Sequence, residues 1–424
     1  MMSYFLLVLL VICLLYFAHK QKVGYFVCFS LLFFRIATTL FYSSSTSLYT
    51  LNSLFLGISY VVVLIWQFNY FNRDVIIRYY NSPVVISMVI VSLLMIVYNY
   101  IGPYYAKHSD FIREQQLSYL INVFIPFILL PFFVSDSFTR NDIIPAILFW
   151  GIFYVVVALT CFDFKMVILR ERELLKDTSD NLIGSIMLSK YMAIVAIVAF
   201  LRGIASEKEK SGQQVFYYTL AALFLLFVVI AGQRGTLFGI GIALFVLLLR
   251  DEWRNHSIAI IGTTIAISLI VITFVDLNQF ELFQRLSEFQ NIKHFNRYYD
   301  YFNTWDIFKE NDFFWGLGTK GYFFRIGRIY PHNIILEHIS DYGLLGLICI
   351  LTLLCCCAKY AVKLIRYSNN YVDLSLACIW IIICFSAMVS DSILGHRLFY
   401  LFSGLLTLSY RSFATNKSEL DYSD

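Results

Sequence analysis

PHNIILEHISDYGLLGLICILTLLCCC, residues 331–357, starts with a proline and two polar residues and then runs almost wholly apolar. About 20 apolar residues at about 1.5 Å of rise each cross the roughly 30 Å of hydrocarbon in a bilayer. The run therefore reads as a membrane-spanning helix. Three polar residues interrupt it in register: Glu337 follows Asn333 by four positions and Asp341 follows Glu337 by four, so all three share one helix face. A carboxylate at membrane depth costs a few kcal/mol unless it is paired, so this face is expected to look into a polar cavity rather than at lipid. Pro331 suits the first turn of the helix and would place His332 at its outer mouth.

Similar apolar segments lie near 3–18, 23–41, 50–68, 82–101, 117–134, 143–161, 184–201, 215–231, 235–249, 257–275, 372–394 and 398–410. With 334–357 these make thirteen. Twelve is nearly as good a count, because 398–410 is short and only Gly232-Gln233-Arg234-Gly235 divides 215–249. Composition agrees: 59% of residues are hydrophobic and 14% charged, against about 25% charged in soluble domains, and the mean hydropathy is +0.72. The fold expected is all-α and polytopic, with about 12–13 transmembrane helices. The first apolar run follows Met-Met-Ser with no basic leader and precedes Lys20 and Lys22, so it reads as a retained anchor.

Basic residues accumulate in loops on the cytoplasmic side. One alternation of loops carries Lys20 and Lys22, Arg73 and Arg78, Arg140, Arg202 with Lys208 and Lys210, Arg250 and Arg254, Lys359 with Lys363 and Arg366, and a tail with Arg411 and Lys417. The other begins with 42–49, which has none, and includes the 102–116, 162–183 and 276–331 loops. Long loops escape the rule, which puts 276–331 outside the cytoplasm and the C-terminus inside. The organisation expected is membrane helices over 1–275, an outer loop over 276–331, C-terminal membrane helices over 332–410 and a cytoplasmic tail over 411–424. The net charge of +4 adds little.

All nine cysteines lie within or at the ends of apolar segments, so they read as small buried hydrophobes and not as disulfides or metal ligands. No zinc spacing, P-loop, dinucleotide fingerprint or nucleophile elbow is present, which gives no support to a nucleotide-driven pump or a soluble-type hydrolase.

The outer loop has texture. Phe280, Phe283, Leu286 and Phe289 recur every three residues, and Tyr298, Tyr301, Phe302, Trp305 and Phe308 recur at three and four. These spacings suggest two amphipathic helices lying on the membrane surface. Seven basic residues balance seven acidic ones in the loop, so it is no simple polyanion trap. Trp315-Gly316-Leu317-Gly318 then forms a turn whose glycines let backbone approach a ligand.

Gly232-Gln233-Arg234-Gly235, Phe295-Asn296-Arg297-Tyr298 with Trp305, Gly316-Leu317-Gly318, and Pro331-His332-Asn333 through Glu337 to Tyr342-Gly343-Leu344-Leu345-Gly346 come in an order that resembles the bacterial O-antigen polymerase and O-antigen ligase superfamily of membrane glycosyltransferases. The resemblance covers 232–346; elsewhere only the hydrophobic profile matches. It implies a GT-C-like fold in the inner membrane with a site facing the periplasm, and a glycan donor linked through pyrophosphate to undecaprenyl. It implies neither cofactor nor metal, no nucleic acid, and a chain-length regulator as protein partner.

By resemblance Arg234 and Arg297 hold the pyrophosphate, a role guanidinium suits because it stays charged and binds phosphate in bidentate fashion. His332 would be the base for the acceptor hydroxyl, with an ordinary pKa of about 6.5. Asn333, Glu337, Arg325, Arg328, Arg35, Gly316, Gly318 and Trp305 complete the candidate substrate contacts. Blander readings stand beside these: Arg234 as an interface anchor or helix cap, Arg297 paired with Asp300 on a solvated face, His332 as a plain helix start, and Arg35 and Lys190 snorkelling outward. The favoured activity is an O-antigen polymerase. A ligase acting on lipid A-core uses the same motifs, and a flippase would also have about twelve helices but should show internal repeats.

Overall fold

A computed structural model describes residues 2–20, 22–33, 58, 61–62, 64–65, 72–101, 105–134, 137–161, 185–206, 211–230, 234–248, 250, 262, 296–310, 314–327, 331–389 and 396–421. Every regular element among them is helical. Helices satisfy backbone N–H and C=O within the segment, which a hydrocarbon medium demands. The chain is an all-α polytopic membrane protein.

Four helices are long and apolar enough to cross a bilayer among the described residues: Asp110–Phe133, Gly212–Val229, Ile334–Tyr367 and Tyr371–Val389. A fifth span results if Arg73–Tyr80 and Pro83–Tyr98, bent by 62°, are one. Shorter apolar helices cover Val8–His19, Val23–Phe33, Asn141–Val156 and Gly235–Leu248. Parts of the segments expected at 23–41 and 50–68, and nearly all of the one at 257–275, lie outside the described residues, as do the whole loop at 162–183 and the repeat at 280–289.

The chain divides into two compact units. The first contains α1 (Met2–His19), α2 (Val23–Cys28, extended by a π-turn at Phe29–Phe33), α3 (Ser137–Cys161), α4 (Ser185–Ala205), α5 (Ser211–Ile230), α6 (Arg234–Leu248) and the residues 365–382. Its core is aromatic with small residues at the crossings. Trp150 is buried and its indole N–H donates to the Tyr25 carbonyl at 3.0 Å; the Tyr191 hydroxyl donates to the Leu32 carbonyl at 2.7 Å. A Cβ on Gly151 would sit 2.2 Å from Val195, so α3 and α4 meet as closely as they do because of glycine. Lys190 is buried within α4, so it does not snorkel outward.

The second unit contains α7 (Arg73–Tyr80), α8 (Pro83–Ile101), α9 (Tyr105–Tyr119), α10 (Ile125–Phe133, to Pro131, entered through a π-turn at Leu120–Phe124), α11 (Asn296–Glu310), α12 (Gly321–Ile326), α13 (Ile334–Tyr367, to Leu364), the residues 383–389 and α15 (Arg397–Asp421); α14 (Tyr371–Val389) is divided between the units. The Tyr79 hydroxyl donates to the Phe127 carbonyl at 2.7 Å, and a Cβ on Gly404 would meet that hydroxyl at 2.9 Å.

One stretch read as a loop is helical, and one apolar segment read as short belongs to a longer helix. Residues 105–116 belong to α9, which is kinked at His108 (φ −136, ψ 30), and polar residues such as Arg113 and Glu114 take its exposed side. The short segment at 398–410 is the buried part of a 25-residue helix that runs to Asp421.

Candidate functional site

The N-terminal end of α13 is built by Asn333. Its side-chain oxygen accepts from the backbone N–H of Ile335 at 2.9 Å and of Leu336 at 3.2 Å, a cap on donors that would otherwise have no partner. Its amide group donates to the Met388 carbonyl at 2.9 Å, tying the helix end to the last turn of α14. The helix therefore begins at Ile334, and Pro331 stands two residues ahead of the cap. This corrects the expectation that Pro331 forms the first turn: a strong N-cap residue sets the start instead.

His332, between proline and cap, has φ 53. Few non-glycine residues adopt this left-handed conformation, and holding it costs on the order of 1–3 kcal/mol. His332 is half-buried. His332 is thus a strained, partly exposed residue immediately before the cap of α13.

Nine residues into α13 the helix breaks. Gly343 has φ 59 and ψ −145, which interrupts the hydrogen-bond ladder and leaves preceding carbonyls to find other donors. The glycine turn supplies them: the Leu317 N–H donates to the Ser340 carbonyl at 2.9 Å and the Gly318 N–H to the Asp341 carbonyl at 2.8 Å. Gly316 and Gly318, with φ 75 and 83, are both buried. The close approach that sequence reading assigned to a ligand is here an approach to the backbone of α13.

The acidic face of α13 meets this turn. Glu337 and Asp341 are buried, and so is Lys320, whose ammonium stands 3.8 Å from a Glu337 oxygen and whose backbone N–H donates to the Asp341 carboxylate at 3.1 Å. Where a polar cavity was expected, the two carboxylates meet Lys320 of the 276–331 segment. His338, on the next position, is buried with one ring nitrogen 2.7 Å from the Ile334 carbonyl and the other 3.4 Å from the Tyr400 hydroxyl.

The outer-loop helix α11 docks by its polar side. Asp300, Thr304 and Ile307 are buried, and the Tyr322 hydroxyl of α12 donates to Asp300 at 2.7 Å. Ile307, Leu317 and Tyr322 form a small apolar cluster beneath. Of the aromatic stripe, Tyr301, Phe302 and Trp305 are each about half exposed. The Lys309 ammonium lies 5.4 Å from the Trp305 ring centre.

Of the candidate residues, His332, Asn333, Glu337, Gly316, Gly318, Trp305 and Arg325 belong to the second unit, with Arg325 exposed on α12. Arg297 is the second residue of α11 and Arg234 the first of α6, in the first unit. Arg35 and Arg328 lie outside the described residues. Sequence reasoning missed Lys320, Asp300, Tyr322 and His338. Lys320 had a signal, since two in-register carboxylates in a membrane helix require a cation, but seven outer-loop bases competed for the part. Among the described residues no three His, Cys, Asp or Glu side chains cluster so as to hold a metal ion.

Residues 219–351, about a third of the chain, match the family model of the O-antigen ligase. No curated protein matches the chain. The match supports the resemblance to the O-antigen ligase and polymerase superfamily, whose members are glycosyltransferase-like enzymes of the membrane, and it spans the break in α13, the glycine turn and the His332 mouth.

Proposed function

We propose that the chain is an O-antigen polymerase, transferring a glycan from undecaprenyl pyrophosphate onto a lipid-linked repeat unit at the periplasmic face of the inner membrane. One observation supports this reading: the family match coincides with a strained histidine held immediately before the N-terminus of a membrane helix. In the reaction the acceptor hydroxyl oxygen attacks the anomeric carbon of the donor sugar. The bond from that carbon to the pyrophosphate oxygen breaks, and undecaprenyl pyrophosphate leaves with the electron pair. His332 takes the hydroxyl proton, while Arg297 and Arg234 stabilise charge on the departing pyrophosphate. Asn333 and Trp305 contact the sugars, and Arg325, Arg328 and Arg35 are further phosphate or sugar contacts.

The match to the O-antigen ligase family favours a second reading, in which the glycan would be transferred to lipid A-core. The surface polysaccharide ladder of a deletion strain separates the two. Core bearing a single repeat unit supports the polymerase; loss of every capped band, with long polymer still on the lipid carrier, supports the ligase. An undisturbed ladder overturns both. Complementation with Arg297→Ala and His332→Ala is expected to reproduce the deletion.

A further inference from the structure

Lys320 occupies a backbone position that disfavours it. Its φ is 62, in a stretch where Gly318 and Gly321 stand close on either side, and its side chain is almost entirely withdrawn from solvent. A lysine in a left-handed position with a buried ammonium is unfavourable on both counts unless the side chain has a partner that needs it. The partner is the acidic face of α13: the ammonium faces Glu337 at 3.8 Å and the amide binds the Asp341 carboxylate at 3.1 Å.

What this contact joins gives it meaning. On one side, Glu337 lies one helical turn below Asn333, and the Glu337 N–H donates to the Asn333 carbonyl at 3.0 Å, so it sits directly under the capped end that carries His332. On the other, Lys320 immediately precedes α12, whose Tyr322 grips Asp300 of α11 at 2.7 Å. Asp300 is three positions after Arg297 on the same helix. Tyr322 thus holds the helix of Arg297, and Lys320, two residues before it in the chain, holds the turn of α13 that lies beneath the helix end of His332.

We propose that Lys320 is a positioning residue, which fixes the helix bearing Arg297 against the helix end bearing His332. This rests on the reading of those two residues as the groups that act on the pyrophosphate and the acceptor hydroxyl. A group-transfer site of that kind is sensitive to placement, since a displacement of about 1 Å costs on the order of 100-fold in rate.

The test uses the full chain in lipid nanodiscs with a polyprenyl-pyrophosphate-linked oligosaccharide as donor. Removing Lys320 alone leaves a buried carboxylate without its cation, which endangers folding, so Lys320→Met is paired with Lys320→Met/Glu337→Gln, where both charges go, and with Lys320→Arg. Two readouts are taken: amide hydrogen exchange at Leu317 and Gly318, whose N–H groups bind α13, and the kinetic constants with varied donor. The expected result for the double variant is exchange about tenfold faster at those amides, a kcat about 100-fold lower with donor KM within about threefold, and substantial recovery in Lys320→Arg. Unchanged exchange, or faster exchange with unchanged kcat, overturns the proposal. A fall expressed in KM instead overturns it too, making Lys320 a donor contact. If the wild-type chain turns over no lipid-linked donor, the glycosyl-transfer reading fails, and unchanged exchange at Leu317 and Gly318 would still overturn the latch by itself.

Discussion

Gly316 and Gly343 meet backbone to backbone: a Cβ on Gly316 would stand 2.5 Å from the Gly343 nitrogen, and a Cβ on Gly343 would stand 2.7 Å from the Gly316 nitrogen. Both residues also have positive φ, 75 and 59. Two motif fragments far apart in sequence are thus the two faces of one contact. Alanine at either position combines a left-handed backbone with a clash against backbone that cannot rotate away. The expected cost is about 3 kcal/mol or more for either variant. Gly327 has φ 77 but open space around it, so Gly327→Ala should cost only about 1 kcal/mol. Thermal unfolding in nanodiscs followed by fluorescence-detected chromatography measures all three, and equal losses would show that contact between the glycines does not matter.

Asn333 performs two separable jobs, capping α13 with its oxygen and binding Met388 with its amide. Asn333→Asp keeps the cap and removes the donor; Asn333→Ala removes both. Loss of an N-cap costs about 1 kcal/mol, and leaving the Met388 carbonyl without its partner adds about as much. Asn333→Ala is therefore expected to be less stable than Asn333→Asp by about 1 kcal/mol in reversible unfolding. If the two variants unfold alike, the cap is not what holds the His332 turn.

The sequence made the membrane class plain because bilayer thickness converts directly into run length, and 334–357 and 372–394 correspond to observed spanning helices. It also made the acidic register of Glu337 and Asp341 plain, since i to i+4 spacing is a geometric fact once the helix is granted. It did not disclose where helices end. Asn333 outranked Pro331 as the start of α13, and the polar residues of 105–116 carried α9 further than hydropathy alone suggested. Nor did it disclose the use of the glycines: a positive φ is legible in Gly-Leu-Gly, but whether the space it frees faces a ligand or another backbone depends on a partner 27 residues away. Lys320 was hidden for the same reason, because ion-pair choice among seven bases is a tertiary outcome.

The Tyr322 hydroxyl donates to Asp300 between α12 and α11, and this bond lies against the Ile307, Leu317 and Tyr322 cluster. Tyr322→Phe removes the donor while keeping the ring in that cluster, so the packing is retained and a buried carboxylate loses a hydrogen bond. The expected destabilisation is about 1–3 kcal/mol. Asp300→Asn keeps an acceptor and should cost less. A double-mutant cycle with Tyr322→Phe and Asp300→Leu should yield a coupling of at least about 0.5 kcal/mol; a coupling near zero would mean that the two helices are held together by the apolar cluster alone.

Trp305 tests whether the outward aromatic face of α11 serves the substrate. Its indole is 53% exposed and rests near Lys309 rather than in the core, so the fold does not depend on it. Trp305→Ala is expected to leave the unfolding midpoint essentially unchanged, because exposed substitutions away from caps and buried contacts fall within about 0.5 kcal/mol. If the ring stacks on a sugar of the donor or acceptor, its loss should raise the KM of that substrate about tenfold, equivalent to about 1.4 kcal/mol, and Trp305→Phe should recover part of it. A face that instead rests on lipid predicts the opposite pattern. Both kinetic constants would stay at wild-type values in the Ala variant, while quenching of Trp305 fluorescence by brominated lipid would be strong in the wild type. Measuring KM and quenching on the same nanodisc samples assigns the face to one or the other.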